Sequence, residues 1–231
     1  MKIAIVSDVH ANFEALSCIP EPYDELWVLG DLVDYGPSPR EVLDFVRSRA
    51  TVVVRGNHDH AVAFGEDPRC SPDFREMASA TLAYTKSVLP PEDLEYLSKL
   101  PETAERVVDG TRFLLCHAAP SDHLYKYIPP NSDLWEGEVE KVAADVLLVG
   151  HTHKPFARRI GNSIVVNPGS LGQPKHGNSQ ACYAIWERGI ELRSYEYALN
   201  QTVAKIERMP IPRRIRADLI RVLEGPMSSS R

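Results

Sequence analysis

Short apolar runs that each end in a cluster of polar residues are the feature that most limits how this chain can fold. Val, Ile and Leu dominate these runs, which span residues 2–6, 25–29, 51–54, 112–116 and 145–149. Runs of this length and composition are typical of strands buried on both faces, as in a sheet covered by helices. Helices are expected between the first three runs, at 11–18 and 38–48. The alternation predicts an α/β domain with a largely parallel central sheet.

Residues 66–101 break this alternation, because they show helical rather than strand periodicity. A helix is expected at 71–88, ending before two consecutive prolines, and a second helix at 92–100. We interpret the stretch as a helical insertion that covers one side of a functional site.

The last third of the chain changes character again. From residue 158 onward, short runs at 164–166, 181–187 and 190–197 predict a second, more antiparallel sheet that closes a sandwich. Residues 200–231 are expected to form a helical tail, with an amphipathic basic helix at 212–223 and a frayed end at 228–231. This helix is expected to pack on the core, with contact in a homo-oligomer as the alternative. The length of 231 residues fits a single domain, 1–231.

The composition is that of an ordinary globular protein, with 43% hydrophobic and 25% charged residues. The formal net charge of −6 argues against a nucleic-acid partner, which would need a broad basic surface. The four cysteines lie far apart and form no CxxC pair, which indicates free thiols in a reducing compartment. No run approaches the roughly 20 apolar residues that cross a bilayer, and the first ten residues lack a signal-peptide pattern. We therefore expect a cytoplasmic protein without a membrane partner.

Most of the histidines follow predicted strands directly. The chain has eight histidines, and five of them lie just beyond strand ends: His10, His58, His117, His151 and His153. The carboxyl ends of strands in α/β sheets form the crevice where ligands bind. Imidazole and carboxylate groups that converge there suit Mn, Fe, Zn or similar metals.

Acidic residues and one asparagine share these positions. Asp8 and His10, like His151 and His153, are two residues apart, so each pair could point to the same side of its strand. One carboxylate can bridge two cations, and an asparagine oxygen can add a neutral ligand. The candidate ligands number seven, more than one metal needs, and they fit two divalent ions: Asp8, His10, Asp31, Asn57, His117, His151 and His153.

These clusters resemble, in order, the five motifs of the calcineurin-like metallophosphoesterases. The motifs are Asp8-x-His10, Gly30-Asp31-x-x-Asp34, Gly56-Asn57-His58-Asp59, His117 and Gly150-His151-x-His153. The sequence Asn167-Pro168-Gly169-Ser170 also looks like that of the small bacterial and archaeal phosphodiesterase-like members. The resemblance covers residues 3 to about 185. It implies a four-layer α-β-β-α sandwich of two mixed sheets flanked by helices.

The resemblance also implies a role for each residue. Asp8, His10 and His153 would hold a first metal, Asn57, His117 and His151 a second, and Asp31 would bridge them. His58 would be the catalytic acid, with its ring oriented by Asp59 or Asp34. The implied reaction is in-line attack of a metal-bridging hydroxide on phosphorus, with His58 protonating the leaving oxygen. The metals would be Mn, Fe, Ni or Zn, with Mn favoured.

Tyr35 departs from the pattern of the protein phosphatases in this family. Those enzymes carry an arginine that clamps the phosphoryl group at this point, so the tyrosine disfavours phosphoprotein substrates. Arg55 could compensate or could form an ion pair beside the sheet. Asn12 could bind a substrate phosphate, although capping of the first helix is favoured. Asn167 could line the site, and Tyr35 is a further candidate for contact with the substrate. Lys175 and His176, in a loop rich in glycine and proline, could reach an anionic substrate.

The sequence therefore predicts a two-metal phosphoesterase that hydrolyses a small phosphodiester or phosphomonoester, such as a nucleotide or another metabolite. The alternative is a non-catalytic scaffold of the same fold that binds a partner. The complete ligand set favours the enzyme. A DNA nuclease is disfavoured by the acidic balance of the chain.

Overall fold

The computed structural model describes residues 1–175 and 177–225, so the end at 228–231, expected to fray, lies outside the described residues. The strands are β1 (Ile3–Val6), β2 (Glu25–Val28), β3 (Ala50–Val53), β4 (Thr103–Val108), β5 (Thr111–Cys116), β6 (Val146–Leu148), β7 (Phe156–Ile160), β8 (Ser163–Asn167), β9 (Ala181–Trp186) and β10 (Ile190–Tyr195). The helices are α1 (Phe13–Leu16), α2 (Pro39–Arg49), α3 (Asn57–Phe64), α4 (Pro72–Val88), α5 (Pro91–Lys99), α6 (Leu134–Val139), α7 (Leu199–Ile206) and α8 (Arg213–Glu224).

The strands form two five-stranded mixed sheets. The first has the order β10-β9-β1-β2-β3, with β1, β2 and β3 parallel and with β9 and β10 antiparallel at one side. The second has the order β4-β5-β6-β8-β7, in which β5, β6 and β8 are parallel. Each sheet therefore has a parallel centre that presents carboxyl strand ends in one direction.

This arrangement corrects the expected division of the strands. The runs after residue 158 do not form a second sheet by themselves, because β9 and β10 extend the first sheet beside β1. The second sheet instead contains β5 and β6, which were expected in the first. Strands β4 and β7 were not predicted at all. Both are outer strands with several exposed positions, so their sequences lack the long apolar run of a buried strand.

Side chains alternate along β1 between two separate cores. Ile3 and Ile5 pack with Trp27 and with Phe113 and Leu115 of the other sheet, and these residues fill the space between the sheets. Successive strand residues point to opposite faces, so Ala4 and Val6 lie on the outer face, against α1 and α2. The outer face of the second sheet is covered by α6, through residues including Trp135 and Val139. The four-layer α-β-β-α sandwich is therefore confirmed.

Helix α4 and the tail pack together. Met77 and Ala78 of α4 join Ile215 and Leu219 of α8 in a cluster that also contains Tyr35. The tail helix thus buries its apolar face inside the chain, as its amphipathic pattern predicts. No helix among the described residues is both long enough and apolar enough to span a bilayer.

One buried carboxylate ties the loop after β5 to α6. Glu138 accepts hydrogen bonds from the backbone and hydroxyl of Ser121, and it pairs with Lys126 at 2.7 Å and Lys141 at 2.9 Å. Burial alone would raise the pKa of Glu138, but these donors outweigh burial and lower its pKa to about 2.

We predict that Glu138→Gln lowers the free energy of unfolding by about 2 kcal/mol at neutral pH, because the donors around this buried side chain lose a charged acceptor. A carboxyl with a lowered folded-state pKa stabilises the fold above its unfolded pKa, about 4.3, and loses that contribution as the pH falls towards about 2. Urea titrations at several pH values should therefore show the gap between variant and wild type closing below about pH 4. Glu136→Gln, at an exposed position of the same helix, is the control. A difference in unfolding free energy between variant and wild type that does not change with pH would contradict an ionised Glu138 in the folded protein.

Candidate metal centre

The candidate ligands are grouped where the strands of both sheets end. Asp8 and His10 follow β1, Asp31 follows β2, and Asn57 begins α3 after β3. From the second sheet, His117 follows β5, and His151 and His153 follow β6. Except for His151, each of these side chains belongs to a fully buried residue. The expectation that these strand ends converge is thus met by the geometry.

The backbone turns sharply at several of these positions. Asp8, His10, Asp31, His151 and His153 have positive φ angles, between 45° and 65°. Non-glycine residues adopt this left-handed conformation rarely, and such backbone strain is concentrated at functional sites. The turns are held by hydrogen bonds between neighbouring loops, such as Asp8 N to Gly30 O at 3.0 Å and His10 N to Asp31 O at 2.9 Å.

Asp31 lies at the middle of the group. Its Oδ1 accepts a hydrogen bond from the backbone N of His58 at 2.9 Å. Its Oδ2 lies 3.2 Å from Nε2 of His117 and 3.7 Å from Nε2 of His10. One carboxylate oxygen therefore faces histidines from both sheets, as a bridging ligand would.

The remaining donor atoms form two sets on either side of Asp31. On one side, His153 Nε2 lies 3.1 Å from His10 Nε2 and 3.3 Å from Asp8 Oδ1. Ligand atoms of these three residues and of Asp31 all lie within 4.8 Å of one another. On the other side, Asn57 Oδ1 lies 3.0 Å from His117 Nε2 and 3.1 Å from His151 Nδ1.

Backbone carbonyls fix the ring orientation of three histidines. Nδ1 of His10 faces Val33 O at 3.3 Å, Nδ1 of His117 faces Leu29 O at 2.7 Å, and Nδ1 of His153 faces Gln173 O at 2.7 Å. A carbonyl oxygen can only accept, so Nδ1 must carry the proton and the neutral ring presents the Nε2 lone pair to the centre. This is the usual way in which histidine ligands are oriented.

Burial and mutual charge shift the acid–base behaviour of the cluster. Burial lowers the pKa of His10 and the pKa of His153, and it lowers the pKa of His151 to about 3. Burial opposes protonation of His117 too, but the charge of Asp31 outweighs it and raises the pKa of His117 to about 9. The histidines likewise hold the pKa of Asp31 well below its usual range, against the effect of burial. His10, His151 and His153 therefore favour the unprotonated form beside ionised carboxylates, which is the form that binds a divalent metal, whereas His117 would release its proton when a metal binds.

His58 stands apart from the two donor sets, and Asp34 orients its ring. His58 Nδ1 lies 2.7 Å from Asp34 Oδ2. The other oxygen of Asp34 accepts hydrogen bonds from the backbone N of Tyr35 at 2.8 Å and from the hydroxyl of Thr81 in α4. The inserted helix α4 thus supports the orientation of His58. Burial disfavours the charged form of His58, but Asp31 and Asp34 outweigh burial and raise its pKa.

Asp59, the other carboxylate expected to orient His58, has a different role in the structure. Its Oδ1 accepts hydrogen bonds from the backbone N of Leu32 at 2.8 Å and of Val33 at 3.3 Å, and its Oδ2 accepts one from Gly56 N at 3.0 Å. Asp59 therefore joins the start of α3 to the loop that carries Asp31. Burial, together with the charge of Asp31, raises the pKa of Asp59 to about 7.

Two of the residues considered for substrate binding hold the loops around the site. Asn12 caps α1 by accepting from Ala15 N at 3.2 Å, and it donates to Gly172 O at 3.0 Å. Asn167 donates to Gly150 O at 2.5 Å and accepts from Gly169 N at 2.8 Å, next to the turn that carries His151.

The other two residues considered for substrate binding lie in different settings. Arg55 pairs with Glu102 at 2.8 Å and donates to Ser98 O at 3.0 Å, which corresponds to the ion-pair alternative. The ring of Tyr35 lies between the centre and α4, with its centroid 4.9 Å from that of His10 and 4.8 Å from that of His58.

A cavity of about 270 Å³ opens in front of the centre, and Asp31, Asn57 and His58 lie in its wall. Two cations also line it: Lys175, considered with His176 for contact with an anionic substrate, and Arg69, which was not predicted as a site residue. His176 lies outside the described residues. Burial lowers the pKa of Lys175 to about 8. The sequence offered only a weak signal for either cation, because both belong to irregular segments rich in Pro and Gly.

Comparison with known proteins assigns the family. Residues 1–188 match the family model described as the calcineurin-like phosphoesterase superfamily domain. The chain belongs to this superfamily, as the resemblance of its motifs implies.

Similar proteins are found among both sequences and structures. The chain is 30% identical to an uncharacterized protein of Methanocaldococcus jannaschii, over 91% of this chain and 93% of that one. It is 27% identical to the phosphodiesterase YfcE of Escherichia coli K12, over 82% of this chain and 89% of the other. A crystal structure of a metallophosphoesterase from Sphaerobacter thermophilus matches with a TM-score of 0.81 and 31% identity, covering 95% of this chain and 98% of that one.

We predict that Gly56→Ala destabilises the protein by about 2–3 kcal/mol, because the site loops are overpacked there. A Cβ at Gly56 would lie 2.1 Å from Asp31 Oδ1 and 2.3 Å from Asp31 N. Gly137→Ala is the matched control, since a Cβ at this helical position meets nothing within 4 Å. The control should gain about 0.5–1 kcal/mol from the better helix propensity of alanine. Urea unfolding measures both changes, and equal effects of the two substitutions would contradict the close approach at Asp31.

Proposed function

We propose that the protein is a phosphoesterase that uses two divalent cations to hydrolyse a small phosphodiester or phosphomonoester. The observation that carries the proposal is the position of Asp31 Oδ2 between His10 and His117, with a separate set of donor atoms behind each histidine. Asp8, His10 and His153 would hold one cation, Asn57, His117 and His151 the other, and Asp31 would contribute to both.

The unsatisfied donor atoms fit cations in these positions. Asp8 Oδ1 is buried and has no hydrogen-bond partner among the described residues. His10 Nε2 and His153 Nε2 face each other at 3.1 Å, although each ring carries its proton on Nδ1. Two lone pairs at this separation repel each other, and a cation shared between them removes the repulsion. The nitrogen and oxygen donors suit Mn, Fe, Ni or Zn, with Mn favoured.

In this proposal the protein supplies the proton and the orientation of the reacting groups. Bound cations would lower the pKa of water and neutralise phosphoryl oxygens. Asp34 accepts a hydrogen bond from Nδ1–H of His58, so that Nε2 of the protonated ring is the atom that would donate a proton to the leaving oxygen. Ionised Asp31 and Asp34 favour the protonated form of the ring, which is the form that acts as an acid.

The volume of the cavity and the net charge of the chain support a small substrate. A cavity of about 270 Å³ lies just below the usual range of about 300–1,000 Å³ for small-molecule sites, so the substrate is expected to be small. The net charge of −6 disfavours nucleic acid, and the relative from Escherichia coli is named a phosphodiesterase. We therefore favour a small ester such as a nucleotide. No disulfide joins the four cysteines, which fits a protein of the reducing cytoplasm.

A non-catalytic scaffold remains the alternative function. A scaffold would need no proton donor, whereas Asp34 orients the ring of His58 at 2.7 Å beside the metal centre. Purified protein that hydrolyses no ester in a panel of substrates and metals would favour the scaffold.

The number of cations can be counted directly. We predict that protein equilibrated with Mn²⁺ and then dialysed retains two equivalents of metal, as measured by mass spectrometry of the metal. His151→Ala removes a ligand from one set and should reduce the count to one. His123→Ala, a half-buried histidine beside Glu102, should retain two. A wild-type count of one would contradict the two-cation proposal.

The acid role of His58 predicts an effect that depends on the leaving group. His58→Ala should reduce kcat by about 10²–10⁴-fold for an ester with an alkyl leaving group, which needs a proton. The loss should be much smaller for bis(p-nitrophenyl) phosphate, because its leaving group departs readily as an anion. Metal content should be unchanged. Equal losses for both esters would show that His58 acts in some way other than as an acid.

A further inference from the structure

The cavity in front of the metal centre is lined by two positively charged side chains that are not candidate metal ligands. Lys175 and Arg69 line it, and Asp31 is the single carboxylate among the described residues of its wall. Lys175 Nζ lies 4.1 Å from the centroid of the Phe74 ring, and the guanidinium of Arg69 lies 4.2 Å from that of Tyr125. Aromatic faces orient a cation but do not neutralise it. Both cations therefore remain available to an anion in the cavity.

We propose that Lys175 and Arg69 form a second anion subsite, which binds a phosphoryl group linked to the one that is hydrolysed. The inference rests on the proposed function and narrows its substrate class to compounds with two or more linked phosphates. The scissile group would lie at the metal centre. Lys175, which is half-buried, would hold the next phosphate, and the exposed Arg69 would contact the chain of phosphates nearer the cavity mouth.

The backbone fixes both cations relative to the metal centre. Pro68, which precedes Arg69, accepts a hydrogen bond from Asn57 Nδ2 at 2.7 Å. Gln173, two residues before Lys175, accepts one from His153 Nδ1 at 2.7 Å. The carbonyls that orient two metal-site side chains thus belong to the segments that carry the cations. A phosphate held by these cations would keep a constant distance from the centre.

The mouth of the cavity suits an aromatic group at the other end of such a substrate. Tyr127 is 53% exposed, and its ring centroid lies 6.1 Å from that of His151. Tyr125 lines the same cavity. A nucleobase stacks on exposed aromatic rings of this kind, with a contribution of about 1–3 kcal/mol per base. The preferred class is therefore a nucleotide with linked phosphates, such as a dinucleoside polyphosphate.

Paired substrates test the subsite in the metal-loaded enzyme. Lys175→Met should lower kcat/KM for a dinucleoside tetraphosphate by about 10–100-fold, the loss expected for a hydrogen bond to a charged group. The same variant should change kcat/KM for bis(p-nitrophenyl) phosphate, which has one phosphate, by no more than about twofold. Arg69→Ala should show the same selectivity with a smaller loss. Lys86→Met and Arg75→Ala, at exposed positions of α4, are the matched controls.

Calorimetry gives a second readout that does not depend on turnover. Wild-type protein should bind ADP more tightly than AMP, and Lys175→Met should remove most of this preference while metal content stays the same. Equal losses of kcat/KM on the two esters, or no loss on the tetraphosphate, would overturn the subsite. If the wild type hydrolyses neither ester, the proposed function fails. Calorimetry still decides the subsite in that case, because equal affinity for ADP and AMP would overturn it.

Discussion

The carboxylate of Asp31 is the group on which the rest of the site depends. Its two oxygens make different contacts. Oδ1 accepts a hydrogen bond from the backbone N–H of His58, and Oδ2 faces histidines from both sheets. This arrangement requires that the loop after β3 approach the loop after β2 more closely than a side chain would allow, and Gly56 permits it. Asp59 then ties the same two loops together through three backbone donors. The site is thus built around one side chain that both loops hold in place.

Backbone strain is part of this construction. Five of the seven candidate ligands adopt left-handed φ angles, a conformation that costs free energy at each non-glycine residue. Hydrogen bonds between the loops offset this cost and hold the turns in the left-handed conformation. Ligands held in this way need little rearrangement when a cation binds. The strained turns therefore favour a site whose donor atoms are held in place by the fold itself.

The sequence predicted the parts of this structure that depend on local pattern. Apolar runs marked the central strands, and polar residues at their ends marked the candidate ligands, because parallel strands present their carboxyl ends at one edge. Pairing of strands distant in sequence was less predictable: β9 pairs with β1 across more than 170 residues, and β10 pairs with β9. The partner of His58 was ambiguous for the same reason. Asp59 adjoins His58 in sequence, but it points to the loop after β2, and Asp34 is the residue that contacts the ring. The edge strands β4 and β7 and the cavity cations Arg69 and Lys175 were hard to predict from the sequence, because none of them lies in an apolar run.

The seven candidate ligands are divided between the two sheets, with Asp8, His10, Asp31 and Asn57 on one and three histidines on the other. A cation held by this set would cross-link the two layers, and it would bind the folded chain far better than the unfolded one. By mass action, each tenfold rise in free metal above its dissociation constant would add about 1.4 kcal/mol to the stability of the fold. The lifetime of the folded protein in a cell would then depend on the metal supply. A shortage of metal would shorten this lifetime as well as abolish the proposed activity.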